Sequence, residues 1–102
     1  MNPEQRYAIA ADHPSLAGHF PGDPIVPGVV LLEEVARAFE AWRPGSRPVA
    51  MPVVKFLAPL RPGQFFTIKF AESGGREIRF ECARDDGQPL AQGRLLAVCA
   101  NS

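Results

Sequence analysis

The chain of 102 residues predicts an α+β fold, a single long helix laid against one antiparallel sheet of about five strands. Three observations carry that prediction. Apolar residues follow a period near 3.6 in one segment only; several later segments alternate with period two; and short clusters of Gly, Pro, Asp and Ser separate those segments.

The elements follow in chain order. "QRYAIAAD", from Gln5 to Asp12, alternates loosely and suits an edge strand leading into a loop with His13 and His19. From Pro27 to about Trp42, Val29, Leu32, Ala36 and Phe39 recur at helical spacing, and "RPGSRP" then stops the helix. Beyond Arg47 everything reads as strand: "VAMPVVKFLAPL", then "QFFTIKFAES" with Phe66, Ile68 and Phe70 on one face, then "REIRFECAR" with Ile78, Phe80 and Cys82 on one face. A last strand runs from about Pro89 to Cys99, with Gly93 as a bulge or a site of close approach. The joints "RPG", "SGG" and "DDG" are turn chemistry, and the last two are short enough for antiparallel hairpins.

Composition narrows the function classes. The length suits one domain over residues 1–102, so an active site must be built within it or shared with a second copy. Eleven basic residues balance eleven acidic ones, which offers nothing to nucleic acid or to an anionic membrane surface. Cys82 and Cys99 lack CxxC spacing, no signal-type leader is evident, and no apolar run reaches the ~20 residues of a membrane span. These features read as a soluble cytoplasmic protein with reduced thiols, with no metal site and no cofactor required.

The stretch "GHFPGDPIVPGVVLLEEV", Gly18 to Val35, is the most informative. Pro21, Pro24 and Pro27 restrict φ, while Gly18, Gly22 and Gly28 open conformations closed to other residues. Such a loop either aims His19 or merely punctuates a helix start. Gly28 falls in the first helical turn, where backbone N–H groups at the positive end of the dipole stabilise an oxygen gaining negative charge. His13, between Asp12 and Pro14, reads as a surface residue. A helical wheel drawn on Val29, Leu32, Ala36 and Phe39 puts Glu33 at the border of the apolar face and turns Glu34 away. A carboxyl at such a border keeps its proton more readily. Glu33 would serve equally as an ion-pair partner of Arg37, and the pattern alone leaves both roles open.

Those residues resemble the signature of the 3-hydroxyacyl-acyl-carrier-protein dehydratases. In that family His-Phe-Pro-Gly precedes Pro-x-x-Pro-Gly-Val, and an acid stands fourteen residues after the histidine, which here is Glu33. Downstream, "VKFLAPLRPGQFFTIKF" and "DDGQPLAQGRL" are similar to the family's strand entry and last hairpin, so the likeness runs from about Ala10 to Val98. The segment "ADHPSLAGHF" looks closest to the small thioester dehydratases of aryl-polyene-type pathways.

The resemblance implies a hotdog fold and dehydration of (3R)-3-hydroxyacyl thioesters on acyl carrier protein to trans-2-enoyl products. It implies His19 as base, Glu33 as acid and the Gly28 N–H as the group polarising the thioester carbonyl. It also implies a homodimer in which histidine and acid meet from different subunits. Phe20, Ile25, Val26 and Val29 are candidates for an acyl tunnel, or for plain core packing. The family's basic pair after the Lys55-Phe56 strand is replaced by Leu57-Ala58, so its docking patch does not transfer; Arg43, Arg47 and Arg61 remain as scattered cations that an acidic carrier protein would meet, or as ordinary solvated charges. The same fold also hosts acyl-thioesterases and non-catalytic acyl-binding subunits that pair with another hotdog chain.

Overall fold

The computed structural model describes residues 5–9, 25–72 and 74–99. Period-two alternation shapes the sheet first. In β3 (Phe65–Glu72) Phe66, Ile68 and Phe70 are buried, and in β4 (Glu77–Arg84) Ile78, Phe80 and Cys82 are buried, while their neighbours point outward. β5 (Pro89–Cys99) adds Leu90, Ala91, Leu95 and Ala97 to the same face.

With β1 (Gln5–Ala8) and β2 (Ser46–Phe56), the five strands form one sheet in the order β1-β3-β4-β5-β2, and every pairing is antiparallel. β1 is an edge strand, as its weak pattern suggested. Although only four residues long, it is held laterally: Arg6 donates from Nε and Nη2 to the Asp85 carboxylate, and its guanidinium lies 3.9 Å from the centre of the Phe65 ring. β2 forms the other edge and begins at Ser46, inside the run expected to end the helix. Its register against β5 shifts twice, between Pro48 and Ala50 and between Ala50 and Val53, so its alternation is broken.

α1 (Gly28–Trp42) lies on the buried face and presents Val30, Leu31, Val35, Ala38 and Phe39 to it. Its C-terminal end is clamped by aromatics: Trp42 stacks on Phe70 with centroids 5.4 Å apart, and Phe39 meets both rings edge-on. The helix closes where the Arg43 N–H donates to the Phe39 carbonyl at 2.8 Å. One helix on a five-stranded antiparallel sheet is the hotdog arrangement. This helix, of 15 residues, is not long and apolar enough to cross a membrane.

Gly93 is a site of close approach. A Cβ there would stand 2.2 Å from the Val53 carbonyl oxygen and 2.9 Å from the Phe80 ring, both held by the sheet. Gly93→Ala is therefore expected to destabilise the fold by about 1–3 kcal/mol, read as a lower midpoint in urea; an unchanged midpoint would show that β2 is not seated here.

Cys82 is buried between β3 and β5, and desolvation pushes its thiol up from 9.0 to about 12. In a Cys99→Ser background the native protein should leave a disulfide reagent unreacted at mildly alkaline pH and react fully once unfolded. The folded state retains this proton where the unfolded chain has released it. Its contribution to stability is thus whole below pH 9.0 and fades as pH climbs towards about 12, a decline that Cys82→Ala should lack.

Candidate functional site

The N-terminal turn of α1 is capped by backbone alone. Pro27 is extended, with φ −60° and ψ 146°, and its carbonyl accepts from the Val30 and Leu31 N–H groups at 3.0 and 3.4 Å. The N–H groups of Gly28 and Val29 therefore have no acceptor within the helix, and they sit at the positive end of its dipole. Among the described residues no side chain caps this turn, and it contains no acid. Gly28 lets the Phe56 ring lie against the turn from the end of β2: a Cβ would stand 2.7 Å from Cζ of that ring, which would have to shift.

Beside that turn is a cavity of about 460 Å³, with Val26, Gly28 and Leu31 on one side and residues 56–60, Phe-Leu-Ala-Pro-Leu, on the other. Among the described residues its lining side chains are all apolar, and its volume falls within the range of small-molecule pockets.

The connection from β2 to β3 also holds the two ends of the histidine-bearing segment. The Gly63 N–H donates to the Ile9 carbonyl at 2.8 Å, and the Val26 N–H donates to the Leu60 carbonyl at 2.7 Å. Ile9, Val26 and Leu60 are all buried. The chain thus leaves the described fold at Ile9 and re-enters it at Ile25 beside the same short connection. That connection is tied to the sheet where the Leu57 N–H donates to the Leu90 carbonyl at 2.8 Å.

His19, Phe20 and His13 lie outside the described residues. Gly28 stands at the first residue of α1, and Val26 lines the cavity. Ile25 is half-buried and is not part of the lining, and Val29 is 67% exposed on the outward side of the helix.

The wheel's placement of the two glutamates is corrected. Glu33 is exposed, whereas the Glu34 side chain is only 15% exposed and takes Arg37 at 2.8 Å. The helix carries apolar residues on two flanks. The sheet receives Val30, Leu31, Val35, Ala38 and Phe39; of the other stripe residues Val29 is exposed, Leu32 packs at the margin of the core and Ala36 is half-buried, and Glu33 falls about 170° from the centre of the buried face. The ion pair left open between Glu33 and Arg37 is not formed; Arg37 pairs with Glu34, and among the described residues Glu33 has no ion-pair partner. Glu34 in turn faces Tyr7 of β1, whose hydroxyl is pushed up by burial and then by the Glu34 charge.

Sequence reasoning missed Leu31 and residues 56–60 as pocket residues. The available signal was "FLAPL" itself, an apolar run continuing past the last strand position where a polar turn would be usual.

The family model described as ApeI-like, ApeI dehydratase, matches residues 2–94. The 3-hydroxyacyl-[acyl-carrier-protein] dehydratase FabZ of Chlamydia trachomatis is 32% identical over 105 residues, covering 88% of this chain and 67% of its own length. The corresponding protein of Ehrlichia chaffeensis is 29% identical over 99 residues, covering 88% of this chain and 69% of its own length. Among solved structures, the dehydratase heterocomplex ApeI:P from Xenorhabdus doucetiae aligns with a TM-score of 0.80 and 26% identity, over 94% of this chain and 85% of that one.

Proposed function

The chain belongs to the ApeI-like dehydratase family, a hydro-lyase assignment, and from that premise we propose that it removes water from (3R)-3-hydroxyacyl thioesters carried on acyl carrier protein. The observation that supports this best is the apolar cavity opening on the Gly28 turn. An acyl chain in that cavity brings its thioester carbonyl to the Gly28 N–H, where the helix end stabilises the enolate-like charge formed as C2 loses its proton.

In this reading His19 takes the C2 proton, the C3–O bond breaks to give the trans-2 double bond, and Glu33 gives its proton to the departing hydroxyl as water. The proton now on His19 returns through solvent to the Glu33 carboxylate before the next turnover.

The outward face of Glu33 supports a composite site in a homodimer, each acid serving the partner's pocket. Val29, Leu32 and Ala36 share that flank and give a second chain something apolar to cover. The outer edge of β2 pairs with no described strand, and Val49 leaves apolar surface along it, so it is the edge along which two sheets would join. A second reading, an acyl-binding subunit active only with a different hotdog chain, is favoured by one finding, the heterocomplex named in the Xenorhabdus structure. The cytoplasm is the compartment that accompanies either reading.

Purified protein given a 3-hydroxyacyl carrier protein should form the enoyl product, seen by mass as the loss of water. His19→Ala and Glu33→Gln should each lower kcat/KM by about 10²–10⁴-fold with unchanged melting. Full activity in both variants would remove the proposed roles, activity only after adding a second hotdog chain would select the subunit reading, and release of free acid would mark a thioesterase.

Gly28→Ala separates function from stability. The Phe56 ring is 55% exposed and can swing aside, so stability should change by less than about 1 kcal/mol. The new methyl and the displaced ring crowd the amide, and kcat/KM should fall by about 10²-fold; a fall in stability matching the fall in activity would count against the carbonyl site.

A further inference from the structure

On the face of the sheet opposite α1, six outward side chains from three strands form a grid set by the pairing register. Val53 stands beside Arg94 and Arg94 beside Arg79; Lys55 stands beside Gln92 and Gln92 beside Glu81. They surround a concavity of about 400 Å³ whose floor is the Gly93 backbone and the edge of Phe80. Three cations meet one carboxylate there, in a chain whose formal net charge is zero.

This cluster does not stabilise the sheet. Arg79 and Arg94 are direct register partners, and like charges placed opposite each other destabilise a ladder. Arg94 reaches Glu77 only at 3.5 Å, and among the described residues Arg79 and Lys55 have no ion-pair partner. Two adjacent guanidiniums are instead suited to carboxylates arriving from another molecule, which they bind in bidentate fashion. Val53, 37% exposed, adds an apolar contact at the rim.

We infer that this concavity is where the acidic face of the carrier protein docks. The inference rests on the dehydratase reading and supplies the partner surface that Leu57-Ala58 does not provide. Patch and pocket flank the same end of β2 from its two faces: Lys55 lines the concavity on the outer face, and Phe56, the next residue, lines the cavity at Gly28 on the α1 side. The arginines singled out from sequence are less suited to the task. Arg43 is stacked on Trp42 and paired with Glu72 at 2.6 Å, Arg61 has other interactions within the fold, and Arg47 lies outside the concavity.

The test is the binding of a fluorescently labelled acyl carrier protein of fatty-acid synthesis, followed by anisotropy at low and high salt. The double reversal Arg79→Glu with Arg94→Glu should weaken binding by about tenfold or more and flatten its salt dependence, whereas Arg79→Lys with Arg94→Lys should retain most of it. Should the reversal melt early, Arg79→Gln with Arg94→Gln takes its place. Equal binding by wild type and reversal, or no binding by wild type, overturns the inference. Turnover of the same acyl group on N-acetylcysteamine reports separately on the dehydratase reading: the reversal should leave it unchanged, and its absence in wild type counts against that reading while the binding result still decides the docking surface.

Discussion

The setting of α1 about its own axis governs the rest of the molecule. Burying Val30, Leu31, Val35, Ala38 and Phe39 on the sheet removes apolar surface from water along the full helix, and the stacked Trp42 and Phe70 lock the far end. A rotation by one residue towards the Glu34 side would bring that carboxyl under the helix and lift Val35, which is 0% exposed, away from the sheet. With that setting held, the Gly28 turn faces Phe56 and the cavity, Glu34 turns towards β1, and Glu33 turns outward. The placement of the chemical groups is thus a by-product of core packing, which is how a small domain positions reactive groups rigidly without a dedicated scaffold.

Much of this was legible in the sequence, for reasons that differ by element. β3 and β4 are half-buried strands whose large residues alternate cleanly, so Phe66, Ile68, Phe70, Ile78, Phe80 and Cys82 announce their face. The bounds of β5 and of α1 follow from glycine and proline punctuation. The rotation of α1 did not follow, because Val29, Leu32 and Ala36 form a second apolar flank, and a wheel cannot tell a stripe that meets the chain's own sheet from one left for another surface. β2 was legible as a strand but not in its facing, since its two register shifts interrupt the period. The pocket wall at residues 56–60 escaped for a related reason: it is neither strand nor helix there, so no period marks it, and its apolar content had to be read as surface to be buried by something. The role proposed for His19 rests on motif spacing alone, and the residue lies outside the described ones.

Charge is divided between two jobs in this fold. Ion pairs secure its ends: Arg6 with Asp85 on the edge strand, Arg84 with Asp86 in the β4–β5 turn, and Arg43 with Glu72 where helix meets sheet. All are exposed or partly exposed, so each contributes modestly and acts mainly to orient chain termini and turns. The middle of the outer sheet face is arranged differently, with Arg79 opposite Arg94 and Lys55 nearby. A neutral chain that pairs charges at its periphery and places like charges side by side at its centre gives up a little stability there. The grid on β2, β4 and β5 is the one place among the described residues where that concession is concentrated.

The outward turn of Glu33 also bears on why such a small chain belongs to a dehydratase family. A carboxylic acid acting on bound substrate must be held beside it, and Glu33 points away from its own sheet and from the cavity against which its own helix begins. Within one subunit the acid and the Gly28 turn therefore face different ways. In the homodimer proposed above, pairing along β2 would turn the outward flank of one helix towards the pocket of the other and cover Val29 in the same step. Exposed Val29 and Glu33, the acid of the proposed reaction, lie on one helical flank. A single association event would satisfy both, and the chemistry would then be available only in the assembled form.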